Sequence, residues 1–196
     1  MFVNSLLTRE LSKHDLQYII YSVITILREL IVNALKANAK RIFFQTNNLD
    51  INDPADYRNG IEKFKEEIVG DFDAIKNDIL NSDLGINLRI SEESDSLHFF
   101  VKNSVPIIPA ELDRINMRIA IAAQQSNFSE IYDTIEDETE GAGLGIAIIV
   151  MFLKSMGIDS STFAIRSDDQ KTIASFKIPY KLKPIEVLTT VKKQIL

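Results

Sequence analysis

The chain has 196 residues, 45% of them hydrophobic and 26% charged, with a formal net charge of −6. That length fits one domain with at most one elaboration. The negative balance argues against a nucleic-acid or membrane-surface binder held by bulk electrostatics. There is no cysteine, which excludes disulfides and thiolate metal sites, and the two histidines, His14 and His98, are too far apart in sequence to suggest a histidine-rich metal centre.

Residues 1–17 carry Arg9, Glu10, Lys13, His14 and Asp15 where a secretory signal needs an apolar core. The longest uncharged apolar stretches, Leu16–Leu27 and Gly141–Leu153, are too short to span a bilayer. A cytoplasmic protein with no membrane insertion is the expectation. Residues 14–39 read as one long helix, with Ser12 as N-cap, Asp15 closing a capping box, and apolar residues from Leu16 to Ile31 recurring at spacings of three and four. Arg41–Asn47 reads as a strand. Asn47–Gly60 is turn-rich, and residues 61–80 read as a charged surface helix. "GINLRIS" and "LHFFVKN" read as two strands joined by the acidic turn "EESDS". Pro106 and Pro109 break the pattern before a helix over residues 110–124. An acidic stretch over 125–140 precedes a glycine-rich run and a helix to Met156, capped by Gly157. "STFAIRS" and "KTIASFKIPY" are a last pair of strands. Strands that follow one another directly, twice, predict a single α+β domain over 1–196. Its expected architecture is a two-layer α/β sandwich, a mixed and mostly antiparallel sheet with helices on one face.

Two stretches could carry chemistry. In "TEGAGLGIAIIV" the glycines Gly141, Gly143 and Gly145 stand directly before an apolar helix. Backbone N–H groups of such a turn can converge on an anion, and the helix N-terminus adds positive partial charge. Neither the Walker spacing nor the dinucleotide spacing is present, so phosphate binding and tight helix packing both remain open at this point. In "RELIVNALKANAKRI" the residues Glu29, Asn33 and Ala37 are four apart and share one helical face, with Lys36 beside it. An amide oxygen can ligate a hard cation such as magnesium. A carboxylate one turn away could activate a nucleophile, and a solvent-facing helix edge is the alternative.

Taken together, "ELIVNALKA" resembles the N-box of the GHKL superfamily, and "EGAGLGIAIIVMFLKSMG" is similar to that family's second glycine box. Their order and separation match, and the resemblance covers roughly residues 18–180. It implies a Bergerat fold that binds ATP and Mg2+ between the N-box helix and a lid, here residues 120–140. By this resemblance Asn33 ligates magnesium, Glu29 acts as general base, and Lys36 and Ala37 complete the N-box. Gly141, Gly143, Leu144 and Gly145 receive the phosphates. Thr172 matches the threonine of the late strand, and Asn103 stands where the family has an aspartate that accepts the adenine amino group. No glycine follows Asn103, so "NSVPI" departs from the family's adenine box. An amide oxygen still accepts a hydrogen bond, without charge.

From Ile119 to Leu153 there is no basic residue, and Glu130, Asp133, Glu136, Asp137, Glu138 and Glu140 are acidic. Magnesium, Lys36, Arg114 or Arg118 would have to offset that charge beside a triphosphate. Residues 48–82 are a helical insertion relative to a minimal member, with an apolar stripe that includes Ile61 and Phe64. That stripe either packs on the domain or docks a partner. His14, followed by an acid, has the look of a phosphoacceptor, but too little sequence precedes the N-box for the two-helix domain that carries one. The function the resemblance implies is an ATP- and magnesium-binding, histidine-kinase-like domain in signal transduction. It would phosphorylate a partner protein or hydrolyse ATP, and it allows a homodimer. The alternative is a non-catalytic interaction module on the same fold.

Overall fold

A computed structural model of the chain describes residues 2–70, 79, 81–125 and 142–182. Among these residues are five α-helices: α1 Phe2–Ser12, α2 Ile20–Thr46, α3 Pro54–Gly70, α4 Pro109–Gln124 and α5 Ala142–Ser155. Four strands, β1 Ile86–Glu92, β2 Ser96–Asn103, β3 Ala164–Ser167 and β4 Thr172–Pro179, form one sheet in the order β1-β2-β4-β3. All of its pairings are antiparallel. The protein is α+β, a two-layer sandwich.

The sheet alternates as a half-buried sheet must. Leu97, Phe99 and Val101 of β2 and Ala174, Phe176 and Ile178 of β4 are buried, while Lys102 is exposed and Phe100 and Lys177 only partly covered. Phe99 and Phe176 are register partners, and their rings stack at 4.8 Å and 3°. Val23, Ile26, Leu27 and Leu30 of α2 and Ile146, Ile149, Val150 and Leu153 of α5 close this core from one side. Each such aliphatic side chain contributes about 1.5–3 kcal/mol by leaving water.

The N-terminal third differs from the sequence expectation. Leu7 and Leu11, one helical turn apart and fully buried, form the packing face of α1. Ser12 therefore ends a helix rather than capping one. Asp15 lies at φ 58°, and a 3-10 turn over Gln17–Ile19 precedes α2. His14 is not on a helix: its ring stacks on Tyr180 at 3.7 Å, and its Nε2 is buried without a hydrogen-bond partner.

Helix α2 also runs through the strand expected at 41–47. No glycine or proline interrupts Arg41–Thr46, and Ile42, Phe43 and Phe44 bury against α3 in a second small cluster with Ile51 and Phe64. Short apolar runs do not distinguish strand from helix by period, and here the long-range packing decides. The helix stops where the Asn47 side chain donates to the Phe43 carbonyl (2.9 Å) and Asn48 turns to φ 53°. Gly157, at φ 72°, ends α5 as expected. The Ile158 amide bonds back to the Leu153 carbonyl at 3.0 Å.

Among the described residues, Gln17–Thr46 is one helical stretch long and apolar enough to cross a membrane, by length and composition. In this fold its Val23, Ile26, Leu27 and Leu30 belong to the core beneath the sheet.

Candidate functional site

The 27-residue helix α2 carries Glu29 and Asn33 one turn apart, both half-buried, facing the start of α5. The contact between the two elements is close. A Cβ added to Gly145 would lie 2.9 Å from Glu29 Oε2, 3.6 Å from Asn33 Nδ2 and 3.8 Å from Asn33 Oδ1. A Cβ at 145 would thus push into the Glu29 carboxylate while touching the Asn33 amide at ordinary contact distance. Gly143, Leu144 and Gly145 lie in the first turn of α5, where amide N–H groups have no partner within the helix. Gly141 and most of the lid expected over 120–140 lie outside the described residues.

Beside this contact is a cavity of about 250 Å³ between α2, the sheet, α3 and α4. Asn33, Lys36, Ala37, Asn103 and Thr172, all singled out in the sequence, line it together. Arg114 and Arg118 line it too, with Lys40 and Lys65, so five basic side chains face a cavity whose acidic lining residue is Glu111. Lys40 is paired with Glu111, and the other four leave the described lining with a formal positive balance in a chain of net charge −6, a balance that suits an anionic ligand.

Asn103 sits at the end of β2 and is 4% exposed. Its Nδ2 donates to the Ala34 carbonyl at 3.3 Å, which fixes the orientation of the amide. Its Oδ1 is buried with no hydrogen-bond partner. An unsatisfied buried acceptor costs about 1–3 kcal/mol unless something donates to it. A ligand amino group would do so.

The loop after Asn103 has no glycine, yet it is fixed on three sides. The Thr172 hydroxyl donates to the Val105 carbonyl (2.7 Å), Arg41 reaches the Pro106 carbonyl (3.3 Å), and the Ile107 amide donates to Ser167 Oγ (2.9 Å). This is a stiff floor for the cavity, built by residues from α2, β3 and β4.

Glu111 holds the opposite wall. It pairs with Lys40 of α2 and accepts from the Tyr57 hydroxyl of α3 at 2.7 Å. Burial pushes its carboxyl upward, but the Lys40 charge and bond, the Tyr57 bond and the more distant Arg114 together hold it below the ordinary range. Sequence reasoning missed Lys40, Tyr57, Ile61, Phe64, Lys65 and Glu111 as parts of one site. Nothing in their spacing links three helices, and only the C-terminal extension of α2 brings them together.

A hard cation fits the Glu29–Asn33 end. A carboxylate and an amide oxygen one turn apart suit magnesium, which keeps most of its shell for water and substrate phosphates. Among the described residues no group of three or more His, Cys, Asp or Glu could hold a metal.

No protein-family model matches the chain. It is 31% identical over 177 residues to an uncharacterized protein of Treponema pallidum (strain Nichols), an alignment that covers 90% of this chain and 34% of that relative. The chain thus spans about a third of that relative's length.

Proposed function

We propose that the protein is a GHKL-type domain that binds ATP with magnesium and acts in intracellular signal transduction. The observation that carries this reading is the approach of Gly145 to Glu29 and Asn33, at 2.9 Å and 3.6 Å from a Cβ at that glycine. The two stretches that resemble the family's motifs thus meet beside a cavity that Asn33 lines, and the unpartnered Asn103 oxygen in the same lining supports the reading.

In this reading the phosphates meet the first turn of α5 at Gly143, Leu144 and Gly145, together with Lys36, Arg114 and Arg118. Asn33 helps hold magnesium, which supplies charge neutralisation at the phosphates. Asn103 Oδ1 accepts from the adenine amino group. Glu29 orients and polarises the nucleophile, either water or a hydroxyl of a partner protein. Positioning and charge neutralisation do most of the catalytic work in such transfers. The partner, a cytoplasmic location and a homodimer belong to the same proposal.

A second reading keeps the fold and gives up the nucleotide, leaving an interaction module. The loop Ser104–Pro106 favours it, since Val105 is buried where the family's glycines shape the adenine pocket. Calorimetric titration with ATP, with and without magnesium, separates the two. Magnesium-dependent binding that Asn33→Ala abolishes supports the first. Absence of binding at millimolar ATP sinks it and leaves the second.

A further inference from the structure

The helical insertion does more than pack. Its Phe64 meets Phe43 edge-on, with ring centroids 5.5 Å apart, and Gly60 lets the two helices close. A Cβ at Gly60 would stand 2.5 Å from Phe44 Cζ. Phe64 and Ile61 also face the cavity. The cavity therefore lies between two apolar clusters: Leu30, Val101 and Ala174 belong to the main core, while Phe64 and Ile61 belong to the cluster that α3 makes with the end of α2.

The polar groups order the cavity along α2. Its lining on that helix runs from Leu30 to Lys40, about 15 Å at 1.5 Å per residue. Asn33 and the Gly145 contact mark one end. Asn103 is anchored next, on the Ala34 carbonyl. Phe64, against Phe43, closes the other end. A ligand that fills the cavity from Asn33 and places an amino group on Asn103 meets Phe64 and Ile61 on the α3 side. The Glu111 carboxylate, bound to Tyr57 of α3 and to Lys40 of α2, holds that wall in position.

We infer that α3 is the end wall of the ligand site, and that Phe64 and Ile61 set its specificity by admitting a purine with an unsubstituted exocyclic amino group and excluding larger ones. This rests on the nucleotide reading above. The experiment is titration of wild type, Phe64→Ala and Ile61→Ala with MgATP and with magnesium N6-benzyl ATP, each variant first checked for a cooperative thermal transition. The expected wild type binds ATP and takes the benzyl analogue at least tenfold more weakly. Both variants weaken ATP severalfold and bind the analogue at least tenfold more tightly than wild type does. Ile61→Ala carries the test if Phe64→Ala does not fold. A wild type that takes both nucleotides equally, or variants that gain nothing for the analogue while still binding ATP, overturns the wall and leaves the nucleotide reading intact. A wild type that binds no ATP overturns the nucleotide reading itself, and the wall with it.

Discussion

Replacing Gly145 by alanine separates a ligand cradle from a packing device. Glycine to alanine inside a helix stabilises by about 0.5–1 kcal/mol through the unfolded chain. Against that, the new methyl would stand 2.9 Å from Glu29 Oε2, where ordinary contact begins at 3.4 Å. The atom in the way is the end of a flexible side chain, and turning it aside costs about 0.5–1.5 kcal/mol. The two terms nearly cancel, so the apo protein should melt within about 4 °C of wild type. Binding should respond far more, because the displaced carboxylate is the group proposed to act beside Asn33, and the new methyl fills the space between α5 and both side chains. A tenfold loss of affinity corresponds to about 1.4 kcal/mol, and it reads out as a shrunken MgATP-induced rise in melting temperature. A drop of more than about 8 °C without ligand would show that helix packing alone requires the glycine. An undiminished MgATP shift would show that position 145 does not face the ligand.

Gly60→Ala should destabilise by about 1–3 kcal/mol in denaturant titration, because the added methyl meets the Phe44 ring at 2.5 Å inside a packed cluster; an unchanged midpoint refutes the close docking of α3. Asn103→Asp, which introduces the residue of the GHKL pattern that the sequence resembles, should destabilise by about 1–3 kcal/mol at neutral pH, since a carboxylate oxygen would then face the Ala34 carbonyl at a site 4% exposed; a stabilised variant would show that the amide's bond to α2 is dispensable. Glu111 has a folded pKa depressed below its ordinary 4.5, so its stabilisation is present above that value and lost as pH falls through the folded pKa. Glu111→Gln should therefore lower stability at pH 7 and narrow the gap to wild type in acid, and a gap that is constant from pH 7 to pH 3 refutes the assignment.

The strands, α4, α5 and the Gly157 cap were legible because periodicity and turn residues agree along the chain there. The N-terminal third was not. Ser12 satisfies the local rules for a cap, yet Leu7 and Leu11 gain more by extending a helix up to it and burying beneath the sheet. The run Arg41–Asn47 reads as a strand until α3 supplies Phe64 as a partner for Phe43. Both errors concern contacts with residues distant in sequence, which no local window contains. The same holds for the site. Glu29, Asn33 and Gly145 were visible as motifs, whereas the α3 wall was not, since it exists only because α2 continues past Ala39 as a helix.

Asn103 joins both lessons. Against the GHKL pattern that the sequence resembles it is a departure, a neutral residue where that pattern carries charge, followed by no glycine. In the fold the amide acts in two directions that a carboxylate cannot. Its nitrogen donates to the Ala34 carbonyl and ties the sheet edge to α2, leaving its oxygen as an acceptor directed away from that bond. In place of those glycines, hydrogen bonds donated by Arg41 and Thr172 and one accepted by Ser167 fix the loop. A family pattern read residue by residue scores these as two separate losses. The packing relates them: a floor pinned by side chains has no need of glycine's freedom, and an acceptor anchored to a helix carbonyl must be an amide.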